Sequence, residues 1–113
     1  MMLEVNGTSV ETDIQGFLQH EEEWSENFAK EQAQKDSIQL FNDHWELIYY
    51  FREYHDANMI SPTMHTLVKE LGGKNKSHHE QKAYEKHIYS LFHTDPVHEI
   101  CKLAGLPLPP PDT

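Results

Sequence analysis

The side chains best equipped for chemistry gather toward the end of this chain. Cys101 is the only thiol, and His98 precedes it by three residues, the spacing that puts two side chains on one helix face. An imidazolium in that position lowers a thiol pKa, which makes Cys101 a candidate reactive thiolate. Two features oppose this. Cys101 falls on the apolar stripe of a helix, and it lies in a late turn, where the negative end of the helix dipole raises a thiol pKa. An inert, half-buried cysteine is the expectation. The same pair offers half of a tetrahedral zinc site, which needs about four converging ligands. The remaining histidines do not complete it. His79 and His87, for example, stand two helical turns apart, about 12 Å along the axis. Neither a metal site nor a cofactor is expected. Nucleophile triads, phosphate loops and dinucleotide fingerprints are also absent from the sequence, so no catalytic residue is assigned and the chain does not read as an enzyme.

The second chemical feature is charge. The net charge is −10. Residues 1–40 carry nine acids and two lysines, a balance of −7, and residues 41–113 a balance of −3. Such a field repels phosphate, so nucleic acid is a poor partner. The locally basic stretch is 69–86. Its lysines, with His65 just upstream, make His65, Lys69, Lys74 and Lys76 a candidate patch for an anion or an acidic partner. The alternative is a solvated lysine face. Two helices near 42–57 and 61–72, joined by a short turn, would fit a helix-turn-helix, with Thr63, His65, Thr66, Lys69 and Glu70 outward. One lysine beside one acid is a weak DNA-reading face.

The elements that must position these groups follow from pattern. At 113 residues the chain reads as one domain, 1–113. Asn6-Gly7 between two short Val-containing segments predicts a hairpin with a type I′ turn. Phe17 and Leu18 of the following connector should turn inward. Trp24, Phe28 and Ala29 recur at helical spacing behind a run of acids, which predicts a helix over 22–35. Asp43 and Glu46 have capping-box spacing at the start of a strongly aromatic segment, read as a central helix ending near 56–58. Ser61 and Pro62 are read as the start of a third helix that Gly72-Gly73 ends. The fourth helix, from about 78, should bury Ala83, Tyr84, His87, Ile88 and Leu91. The fifth opens with Asp95 as cap and Pro96 behind it, and Gly105 terminates it. Beyond that point the prolines impose an extended arm, residues 105–113. The expected fold is mainly α (α+β), with about five helices, a small N-terminal hairpin and a C-terminal arm. No stretch is apolar for ~18 residues, and the N-terminus lacks the features of a secretory signal. A lone cysteine forms no internal disulfide. A cytoplasmic protein, monomeric or weakly dimeric, is expected.

The chain resembles the DsrC/TusE family of small sulfur-trafficking proteins. The resemblance covers residues 4–109. It rests on EVNGTSVETD followed by GFL, on HWELI and FREYH, on ISP, on SLF, and above all on CKLAGLPLP. It implies a mostly helical fold with a mobile arm, and a carrier or adaptor rather than an enzyme. Fully equipped members carry two thiols on the arm. The root thiol matches Cys101. The terminal one, which carries persulfide sulfur, falls at Asp112. A carboxylate cannot accept sulfur from a persulfide. The resemblance therefore implies a regulator or adaptor whose arm residues Gly105, Leu106, Pro107, Pro109 and Asp112 dock on a sulfurtransferase or a sulfite-reductase-like complex. A single-thiol carrier using Cys101 and a helix-turn-helix regulator are the alternatives. The sequence also departs from the family pattern at His65, usually arginine, and at His93 and Asp95, usually proline and glycine.

Overall fold

Asn6 and Gly7 adopt φ of 51° and 80°, the paired positive angles of a type I′ turn. They join β1 (Met2–Val5) to β2 (Thr8–Glu11) in an antiparallel pair with Leu3 opposite Val10 and Val5 opposite Thr8. In this computed structural model, which describes residues 1–72 and 78–109, five helices follow: α1 (Glu26–Lys35), α2 (Asn42–Asn58), α3 (Met64–Leu71), α4 (His78–Leu91) and α5 (Pro96–Leu103). A two-stranded hairpin is marginal alone. This one is held because Val5 and Val10 close with Leu18 over Phe28 of α1, a small apolar cluster beside the main core.

Several helix starts differ from the sequence reading, each for a local reason. The first helix begins at Glu26, not 22. Glu21–Glu23 form a separate 3-10 turn, Trp24 is extended (φ −66°, ψ 142°), and Ser25 caps by accepting from the Phe28 amide at 3.1 Å. For α2 the expected Asp43–Glu46 box is not used. Phe41 is the cap residue, and its amide donates to His44 Nδ1 at 3.2 Å. For α3 the cap is Thr63, whose hydroxyl accepts from Thr66, while Ser61 and Pro62 precede the helix. At α5 the expectation holds: Asp95 accepts from the Val97 amide at 3.0 Å with Pro96 in the first turn.

The main core is built around α5, which packs against α1, α2 and α4. Every residue from Glu99 to Leu106 is buried. That makes α5 the enclosed helix. The α2 helix is one-sided, burying His44, Leu47, Ile48 and Phe51 while Tyr49 remains exposed. Among the α4 residues whose side chains are described, Ile88 is the buried one, and Ala83 and His87 face outward. Phe17 and Leu18 turn inward as expected. Among the described residues no helix is long and apolar enough to cross a membrane.

Candidate functional site

The C-terminal end of α5 and the arm that leaves it form the candidate site. A helix ends with four carbonyls that have no partner inside the helix. Here the two inner ones are met by a Schellman turn. The Leu106 amide donates to the Cys101 carbonyl at 3.0 Å and the Gly105 amide to the Lys102 carbonyl at 3.2 Å. Gly105 makes this possible, with φ of +71°. The two outer carbonyls are met from distant parts of the chain. The indole Nε1 of Trp24 donates to Leu103 O at 2.8 Å, and Arg52 Nη1 donates to Ala104 O at 2.7 Å. The guanidinium also lies over the Trp24 ring, 3.9 Å from its centroid.

Cys101 sits one turn inside this clamp. It is fully buried, more than the half-buried state expected, and its thiol donates to Ser61 Oγ at 3.3 Å. Burial pushes the thiol pKa up to about 11, against a lowering influence from the Ser61 hydrogen bond. His98 does not activate it. Its ring stands edge-on to Phe17, centroids 5.0 Å apart. Among the described residues no group of three or more His, Cys, Asp or Glu side chains is placed to hold a metal ion.

On the other face of α5, Lys102 is held between two carboxylates. Its Nζ lies 3.1 Å from Asp36 Oδ2 and 3.1 Å from Glu99 Oε2. Glu99 Oε2 is buried without a well-directed hydrogen bond. Burial holds the Glu99 carboxyl above its ordinary range, outweighing the pull of Lys102. Burial alone would lower Lys102, but the two carboxylates raise it overall. Sequence reading missed this triad. The three-residue spacing of Glu99 and Lys102 is a visible signal, but Asp36 comes from the end of α1 and only the fold brings it in.

The expected arm residues divide. Gly105 and Leu106 are buried, because the Schellman turn folds them back onto the core. They anchor the arm and offer no outer surface for docking. Pro107 is exposed, and Pro109 lines a groove of roughly 440 Å³ with Ile60, Pro62, Tyr89 and Val97. The proposed basic patch is represented by His65 and Lys69, both exposed, at a cleft between α3 and α4 that Lys82 and Glu85 also line. Lys74, Lys76 and Asp112 lie outside the described residues. The departures at His93 and Asp95 have structural roles: His93 Nε2 lies 3.1 Å from the Ser37 carbonyl, and Asp95 caps α5.

Comparison with known proteins decides the family. The family described as "DsrC like protein" matches residues 4–111. The chain belongs to the DsrC-like family. It is 40% identical over 108 residues to the sulfurtransferase TusE homolog of Haemophilus influenzae, covering 96% of each chain. It is 36% identical to the sulfurtransferase TusE of Sodalis glossinidius, over 95% of this chain and 96% of that one. Its fold superposes on Allochromatium vinosum DsrC with a TM-score of 0.85 at 32% identity, covering 99% of this chain and 97% of that one. The oxidized gamma-subunit of the dissimilatory sulfite reductase (DsrC) from Archaeoglobus fulgidus gives 0.79 at 32% identity over the whole of both chains. The mainly helical DsrC-like fold read from the sequence is therefore shown, hairpin included.

Proposed function

We propose that this DsrC-like chain is a non-enzymatic regulator or adaptor of sulfur metabolism that docks through its arm on a sulfurtransferase or a sulfite-reductase-type partner. Its relatives support the setting, since they are named as TusE sulfurtransferases and as the gamma-subunit of dissimilatory sulfite reductase. The observation that carries the adaptor role is the state of its only thiol. A sulfur carrier must present a thiolate to an incoming persulfide. Cys101 is enclosed, bonded to Ser61 and raised to about 11, so very little thiolate is present at neutral pH. At position 112, where the family resemblance places the sulfur-bearing thiol, the chain has Asp112. The arm supplies the contact instead. Its prolines lose little conformational freedom on docking, and its anchor is already fixed by Gly105 and Leu106.

The test has two arms. The folded protein is incubated with a persulfide-loaded sulfurtransferase and its intact mass is measured. No gain of sulfur is expected. A gain of one sulfur, lost in Cys101→Ala, would establish the single-thiol carrier, in which the Cys101 thiolate takes the sulfane sulfur and releases the donor's thiolate. Removal of residues 107–113 should abolish binding to such a partner, and unchanged affinity would exclude the arm as the contact.

A further inference from the structure

We infer that Trp24 and Arg52 are positioning residues for the arm. They latch the last turn of α5, and the arm root opens as a local unit only when that latch releases. The inference deepens the proposed role of the arm as the contact element and rests on it for its functional meaning.

Three separate segments converge on this turn. Trp24 comes from the extended link before α1, Arg52 from the middle of α2, and the turn itself from the end of α5. The side chains take over where the backbone can no longer help. The Schellman bonds serve Cys101 and Lys102, and the Leu103 and Ala104 carbonyls have the indole and the guanidinium. The contact is also closely shaped. A Cβ on Gly105 would lie 2.5 Å from Trp24 Cδ1, so the indole rests on the bare backbone of the turn.

The behaviour of Arg52 separates this from ordinary packing. It is the only arginine in the chain. Glu21, Glu53 and Asp56 line the same cavity, of roughly 350 Å³, together with Arg52 and Leu106. A half-buried guanidinium ordinarily favours a carboxylate partner. Among the described residues Arg52 forms no ion pair. Its directed hydrogen bond goes to the neutral Ala104 carbonyl and its face to the Trp24 ring. The geometry is that of a side chain committed to the arm root. Local openings of this kind occur in cooperative units whose stability is set by the few contacts that close them.

The experiment is amide hydrogen exchange on the full chain, with wild type, Trp24→Phe, Arg52→Gln and Arg52→Lys, beside denaturant unfolding of each. Trp24→Phe keeps the ring and removes the donor. Arg52→Lys keeps the charge and removes the planar fork. The Gly105 and Leu106 amides should exchange at least about tenfold faster in Trp24→Phe and Arg52→Gln, with Arg52→Lys between them and wild type. Amides in the middle of α2 and α4 should change no more than the global unfolding of each variant requires. Unchanged exchange at residues 105 and 106 overturns the latch. So does acceleration spread evenly over α2, α4 and α5, which marks a merely structural contact. No partner is present in this measurement, so its failure leaves the arm-docking proposal standing, and that proposal is decided separately by removal of residues 107–113.

Discussion

His44 and Leu91 are joined at 2.9 Å, the ring Nε2 of one to the carbonyl oxygen of the other, across 47 residues of sequence. A carbonyl only accepts, so Nε2 carries the proton. The Phe41 amide only donates, so Nδ1 is the bare acceptor. The ring is thus a neutral tautomer tying the start of α2 to the end of α4, and it is buried against Phe92 with centroids 5.1 Å apart. His44→Ala should cost on the order of 2–4 kcal/mol, from lost volume and two stranded backbone groups. Urea unfolding of the variant measures it. A loss within ~0.5 kcal/mol would mean that solvent already serves those groups.

Gly105 meets two constraints at once, a left-handed backbone and contact with Trp24. Gly105→Ala therefore carries the ~1–2 kcal/mol of a left-handed alanine and displaces the indole as well. The thermal midpoint should fall by at least several degrees. Tryptophan fluorescence should report the altered environment of the Trp24 ring. Gly7 has φ of +80° but nothing within 4 Å of the place a methyl group would take, so Gly7→Ala carries only the backbone cost.

The Asp36–Lys102–Glu99 triad gives a pH dependence with a definite sign. The folded-state pKa of Glu99 is raised by burial. The native chain therefore holds a proton there that the unfolded chain has already released. Stability from this group is present below the ordinary carboxylate pKa and is lost as pH rises through the raised value. Glutamine cannot ionise. Glu99→Gln should match wild type near pH 4 and exceed it increasingly toward neutrality, read from urea midpoints at each pH. Lys102 behaves differently. Its net raised pKa gives stability that persists through neutral pH and is lost only as pH climbs through that raised value. Lys102→Met strands two carboxylates and should cost ~3–5 kcal/mol at pH 7.

The boundary between anchor and arm falls after Leu106. That residue is 3% exposed, whereas Pro107 and Leu108 are exposed. Ending the chain at Leu106 should leave the unfolding midpoint nearly unchanged. Ending it at Gly105 should cost ~2 kcal/mol or more, from the lost leucine burial and the lost Leu106 amide bond to Cys101. Equal stability of the two truncations would show that Leu106 does not anchor the arm.

Much of this architecture was legible because local chemistry and tertiary demand agree. Asn6-Gly7 has no better use than a tight hairpin, and Asp95-Pro96 opens a helix in sequence and in space. The end of α1 falls at Lys35, where the sequence pattern placed it, but by a device the sequence does not display. It closes by the same Schellman geometry as α5, with Ile38 donating to Ala33 and Ser37 to Gln34, but the left-handed residue is Ser37. No glycine marks it, so the bound was legible while the left-handed turn at Ser37 that makes it was not. Trp24 misled for a related reason. Its spacing to Phe28 fits a helix, yet its indole is drawn off to Leu103 and the helix starts after it. At the candidate site, Cys101 and Gly105 were recognisable as residues. The clamp, the triad and the depth of Cys101 were not, because each joins groups that only the folded chain brings together.

The turn that seats Leu106 also acts as a ruler. Asp112 lies six positions beyond that anchor, and a fully extended chain of that length spans no more than about 22 Å. Any cleft this carboxylate is to reach must lie within that radius of the helix end, so the geometry of a partner's entrance is bounded before the partner is known.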